Sequence, residues 1–365
     1  MKILEITKAL EQIAPLSLQE EYDNCGLLLG DANTDCTGIL CTLDVTENVV
    51  DEAIAKNCNL IVAHHPVIFR GMKRLIGATL PERTVIRSLK NDIAIYAAHT
   101  NFDNIIDGVN GKIADLLGLA NRAILEPKKG LLKKLYTFVP TDSLDRVRDA
   151  LFAAGAGNIS KYSECSFSHE GTGTFRPGEG AQPYSGEVGI RKHEHEAKLE
   201  VILPSFLENN VLKALFDAHP YEEVAYDMVN LSNQHQSTGS GIVGEIPATD
   251  HRHFLQKLGV FNARMIRHTP ELNRPIRKVA VCGGAGHFLI PRALQAGVDA
   301  YVTSDLKYHD FFLAEGRLIL YDIGHFESEQ FTAELFVEIL EQKFPNFAVL
   351  KSEVKTNPVH YFTGK

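Results

Sequence analysis

The stretch NLIVAHH (59–65) sets four consecutive apolar residues before two histidines. A short apolar run with no polar alternation reads as a strand buried on both faces. It follows NVVDEAIAKNC (48–58), which is helical by spacing. The pattern repeats downstream, with TVIRSLKN (84–91) as helix and DIAIYAAH (92–99) as strand. Buried strands alternating with helices predict a mixed or mostly parallel α/β sheet.

The same texture returns near the C-terminus. AIAKNCNLIVAHH (53–65) and ALQAGVDAYVTSD (293–305) share a helix end, a turn and a strand that ends in polar groups. DIAIYAAH (92–99) and RLILYDIGH (317–325) share an apolar strand that ends at histidine. A duplicated α/β core is therefore expected over residues 1–126 and 234–365. Between them lie KLYTFVP (134–140), SLDRVRDALFAAGAG (143–157), GTGTFRP (171–177), AKLEVILP (197–204), FLENNVLKALFDAH (206–219) and EEVAYDMVNL (222–231). That order, β-α-β-β-α-β, predicts a ferredoxin-like α+β insertion over 127–233. SNQHQSTGSG (232–241) reads as a polar linker, and a single long helix is expected after Gly324.

The chain has 365 residues, 44% of them hydrophobic and 23% charged, with a formal net charge of -9. That length suits two or three domains, and the acidic balance disfavours nucleic acid as a partner. The six cysteines include no C-x-x-C pair, which speaks against a zinc ribbon or a thioredoxin-type site. So few in so long a chain fit a reduced, cytoplasmic setting. At the start, Ile3, Ile6, Leu10 and Ile13 mark one helix face, but Glu5 and Glu11 break any signal-peptide core. No apolar run is long enough to span a membrane.

Three strand ends carry metal-binding residue types. His64 and His65 precede Pro66, which forces His65 into an extended conformation at the carboxyl edge of the sheet, where open α/β folds place ligands. Asp103 follows the strand IAIYAA, and alone it would read as a helix cap. His325 and Glu329 are four apart and share one face at the start of a helix. Three such coincidences are better explained by one site. Three imidazoles and two carboxylates are too many for one reactive ion, so two ions fit better. Mixed nitrogen and oxygen donors suit zinc, iron, manganese, cobalt or nickel.

YDNCGLLLG (22–30), LIVAHHPVIF (60–69), YAAHTNFD (96–103), VCGGAG (281–286), YVTSDLKYHDFF (301–312) and GHFESE (324–329) together resemble the Nif-three-like dinuclear metal family, whose members are often labelled GTP cyclohydrolase 1 type 2 homologues. The insertion resembles the PII/CutA-like middle domain of the longer bacterial members. The resemblance implies His64, His65, Asp103, His325 and Glu329 as metal ligands, two divalent ions per chain, and a toroidal homohexamer. It also implies metal-dependent hydrolysis of a nucleotide or related small molecule. A non-catalytic metal or small-molecule sensor is the alternative. His99 is expected to orient a ligand or shuttle a proton. Gly283, Gly284 and Gly286 would admit a phosphate or simply make a tight turn. Asp305, Lys307 and His309 are expected to line the cavity or brace the ligands. The resemblance implies a small polar residue where His287 stands, so a different pocket lining is expected there, and Cys25 occupies a position that often varies.

Overall fold

Three wholly apolar or nearly apolar segments, Ile39–Thr42, Leu60–Ala63 and Ala94–Ala97, form adjacent parallel strands in which every residue is buried. The computed structural model describes residues 1–362. Val349–Lys351 adds a parallel strand at one edge of this sheet, and Gly26–Leu29 an antiparallel strand at the other. Glu47–Ala55 and Leu80–Lys90 are the intervening helices. Thr46 and Thr79 cap them, each accepting a backbone N–H from the first turn.

A second sheet repeats the plan. Ile276–Ala285, Ala300–Ser304 and Ile319–Asp322 are again parallel and in chain order. Arg267–His268 lies antiparallel beside the third, as Gly26–Leu29 does in the first sheet. Gly239–Thr249 and Ala120–Pro127 complete the six strands. The duplication predicted from 53–65 and 293–305 is thus present in strand order and direction. One buried cluster takes residues from both sheets and from the N-terminal helix Ile3–Ile13, which buries Ile3, Ile6 and Leu10. Each such side chain contributes about 1.5–3 kcal/mol.

The chain divides into two compact units: Met1–Glu126 with the chain from Thr238 onward, and Pro127–Ser237. The second is a four-stranded antiparallel sheet in the order Ser166–Phe175, Lys192–Pro204, Leu132–Pro140, Tyr226–Asn230. Its helices Leu144–Ala153 and Glu208–Ala218 bury Val147, Leu151, Val211 and Leu215 against Leu135, Leu199 and Val201. This is the ferredoxin-like order expected.

Three details differ from the expectation. The strand read at 171–177 runs over Ser166–Phe175; it is an exposed edge strand and has no apolar face to announce it. The polar stretch 232–241 ends inside a strand, which starts at Gly239. The single helix after Gly324 is two, His325–Glu329 and Thr332–Lys343. At the break, the Gln330 side chain donates to the carbonyls of Phe261 and Glu327.

Candidate metal centre

The backbone ladder holds both histidines of the first strand end in place. His64 N–H donates to Thr42 O and His65 N–H to Leu43 O, so the strand pairing continues past Ala63. The His64 ring is fully buried, and its Nδ1 lies 2.9 Å from Ala98 O. A carbonyl only accepts, so Nδ1 is the donor there and Nε2 points to the other side of the ring. His65 Nδ1 lies 2.7 Å from Asp44 Oδ1, and His325 Nδ1 lies 2.6 Å from Asp305 Oδ2. Each of the three rings is thus held by one nitrogen, and Nε2 is its free end.

Those free ends converge. Glu329 Oε2 is 3.1 Å from His65 Nε2 and 3.1 Å from His325 Nε2, and the two nitrogens are 3.4 Å apart. His64 Nε2 is 3.7 Å from Asp103 Oδ1 and 3.8 Å from Glu329 Oε1. His64 Nε2 and Asp103 Oδ1 are buried with no hydrogen-bond partner. A buried ring nitrogen facing carboxylate oxygens without a hydrogen bond is costly unless a cation lies between them. The donor set suits divalent transition metals, and the five residues expected as ligands lie near one another, with His99 beside them.

Burial raises the Asp103 carboxyl above its usual range, whereas three neighbours are drawn toward their charged forms. Burial opposes charge on His65, yet Asp44 and Glu329 hold it up to about 9. Burial likewise opposes charge on His325, and Asp305 and Glu329 raise it to about 11. Burial also works against the Glu329 carboxylate, but His325, His64 and His65 hold it well below the usual range. The cluster draws positive charge in, as a metal-binding site requires.

The remaining sequence candidates take varied places. His99 Nδ1 is 2.8 Å from Asp23 Oδ1, and its ring lies 5.0 Å from that of His64. His64, His65 and His99 offer nitrogens within 4.8 Å of one another. Asp305 braces His325, as noted. Lys307 and His309 are exposed at the start of the 3-10 helix Tyr308–Ala314 and are not among the residues lining the cavities beside the cluster. Gly284 has φ +60°, and a Cβ there would lie 2.4 Å from Glu329 Oε1. Its glycine therefore serves close approach to a ligand. The Gly283 and Gly284 N–H groups already donate to Asn110 Oδ1 and Ser328 Oγ, so they are engaged within the protein. A Cβ on Gly286 would meet Thr303 Oγ1 at 2.3 Å, which marks tight packing. His287 is exposed, and Cys25 Sγ lies 3.1 Å from Asp23 Oδ2.

Asp44 and Asp23 escaped the sequence reading. Asp44 sits two residues past the strand Ile39–Thr42, nearer its strand end than Asp103, which lies six residues past Ala97.

The model of the Duf34/NIF3 (NGG1p interacting factor 3) family matches residues 1–358. This chain belongs to that family. A Bacillus subtilis relative described as a GTP cyclohydrolase 1 type 2 homolog is 39% identical over 368 residues, covering 97% of each chain. A Staphylococcus epidermidis relative with the same description is 36% identical and covers 99% of this chain and 100% of its own. The crystal structure of a Bacillus cereus protein related to NIF3 superposes with a TM-score of 0.87 at 37% identity, over 99% of both chains. In this Duf34/NIF3 member, two cavities reach the cluster. One, about 430 Å³, is lined by Tyr22, His99, Asp103, Phe288, His325 and Glu329 among others. The other, about 460 Å³, includes Asp44, His65, Asp305 and His325. Among the described residues, no helix is long and apolar enough to cross a membrane.

Proposed function

We propose that this protein is a dinuclear metal-dependent hydrolase acting on a nucleotide or a related small molecule. The observation that carries the reading is the orphaned pair, His64 Nε2 and Asp103 Oδ1, beside a carboxylate that two further imidazoles approach. His64, His65, Asp103, His325 and Glu329 would hold two divalent ions. When bound, such ions supply Lewis acidity and lower the pKa of water.

The protein's own groups do the rest. Asp44, Asp305 and Ala98 O fix the three rings so that Nε2 faces the site. Asp23 holds His99 Nδ1, which leaves His99 Nε2 to carry a proton between substrate and solvent. Exposed Tyr22 and Phe288, on the lining of the same cavity, suit a planar heterocycle. The relatives' description as GTP cyclohydrolase 1 type 2 homologs supports a nucleotide substrate. The proposed enzyme works in the cytoplasm as a homo-oligomer, with a hexamer as the expected form.

The test is turnover of GTP and other nucleotides by metal-loaded protein, compared with metal-stripped protein and with His65→Ala. Product that requires both metal and His65 supports the hydrolase. Metal-dependent binding of nucleotide without product overturns it in favour of a sensor.

A further inference from the structure

The inserted unit has a cavity of its own, about 410 Å³, which nothing above uses. Its size is within the range of small-ligand sites. Phe138, Phe175, Tyr184 and Tyr221 line it, together with Glu196 and Arg176. Phe175 and Tyr184 each stand with their ring centroid 6.0 Å from that of Tyr221. Four aromatic residues around one space in a domain of this size is a concentration that its core does not need. The buried core lies elsewhere, among Leu135, Leu151, Leu199, Val201 and Leu215.

Glu196 is the informative residue. It is only 8% exposed, on the central strand Lys192–Pro204. Oε1 accepts a hydrogen bond from Tyr221 Oη at 2.7 Å. Among the described residues, no Lys, Arg or His forms an ion pair with it. The fold makes room for this acid at a backbone cost: a Cβ on Gly173 of the edge strand would lie 1.8 Å from Glu196 Oε2. Burying an acid without a cationic partner is unfavourable, and the side chain opens onto the cavity. Burial, then Glu196, raises the Tyr221 hydroxyl above its usual range, so it stays a donor.

A buried carboxylate among aromatic faces selects a particular class of ligand. A metal ion would need several oxygen or nitrogen donors, and no cluster of potential metal donors occurs here among the described residues. An anion would be repelled by Glu196 and by Glu222 and Glu223, which also line the cavity. A diffuse organic cation satisfies both features at once, ion-pairing with the acid and lying over the rings. We propose that this cavity binds a small organic ammonium ion, with its charge set against Glu196 and its alkyl groups against Phe175, Tyr184 and Tyr221. Arg176 is exposed and is the competing cation, so it sets the affinity from the mouth of the site.

The test is calorimetric titration of the full-length protein with benzyltrimethylammonium chloride and, at matched ionic strength, with neutral benzyl alcohol. The cation should bind saturably, at least about tenfold tighter than the alcohol. Glu196→Gln should weaken cation binding at least about tenfold, and Arg176→Ala should strengthen it. Tyr184 is half exposed and outside the core, so Tyr184→Ala keeps the fold and should weaken binding severalfold even where Glu196→Gln does not fold. The proposal is overturned if cation and alcohol bind alike, if no saturation occurs below about 10 mM, or if Tyr184→Ala binds the cation as tightly as the parent.

Discussion

Asp44 and Asp305 do their work one bond removed from any ligand. Each accepts from the Nδ1 of a histidine whose Nε2 faces the centre, His65 and His325 respectively. Asp44→Asn or Asp305→Asn keeps the shape but removes the charge that orients and enriches the ring. Each should lower metal affinity about 10–100-fold with the fold intact, measured by chelator competition. A second prediction concerns pH. Without metal, His65 is held up to about 9 and His325 to about 11, both above the ordinary value for histidine. A raised value means that the proton is retained at neutral pH and lost only as pH rises through that value. Metal must displace it, so apparent affinity should climb with rising pH up to about 9 for His65 and on to about 11 for His325, with proton release on loading. Affinity that is flat across that window contradicts the assignment. Asp44 was not legible as a brace, and Asp305 was expected to line the cavity or brace the ligands without its partner being identified. Their roles depend on partners 21 and 20 positions away in sequence, and an acid after a strand end has the same local signature as a loop or a cap.

At the scale of elements, strand ends and two short helices, Thr100–Asp103 and His325–Glu329, carry the site. Thr100–Asp103 is a single turn, too short to be stable alone. It is pinned by Phe102, fully buried, whose ring meets Phe336 edge-on at a centroid distance of 5.3 Å. Phe102→Ala should cost about 3–5 kcal/mol in denaturant unfolding and should also reduce metal content, because Asp103 is the next residue. Unchanged metal content would show that Asp103 is positioned by something else. The strands that build the site were legible because they are continuous apolar runs buried on both faces, as in Leu60–Ala63. Ser166–Phe175 was legible only in part, since an exposed edge strand carries almost no hydrophobic pattern. The helix break at Gln330 was hidden because Phe331, Leu335 and Phe336 keep the helical spacing going while the backbone changes direction.

For the whole molecule, the unit that carries the candidate metal site is interrupted in sequence by the second unit. A Cβ on Gly241 would lie 3.5 Å from Leu125 Cβ, and one on Gly244 would lie 2.9 Å from Ala120 O. The strands on either side of the insertion are therefore neighbours, and their ends can be joined by a few residues. Replacing residues 128–237 with a short flexible linker should leave a folded, metal-loaded protein, as judged by circular dichroism and metal content. An aggregated, metal-free product would show that the insertion is integral to folding. The duplication that frames the site was legible from two pairs of matching segments. The site also needs both copies: His64, His65 and Asp103 come from the first, His325 and Glu329 from the second.

The central claim is that these five side chains gather around a pair of cations. Elemental analysis of protein purified under metal-replete conditions, run beside His65→Ala, tests it directly. The account predicts close to about two transition-metal ions per chain, with a clear loss in the variant. A reproducible value near zero in the parent protein would contradict it.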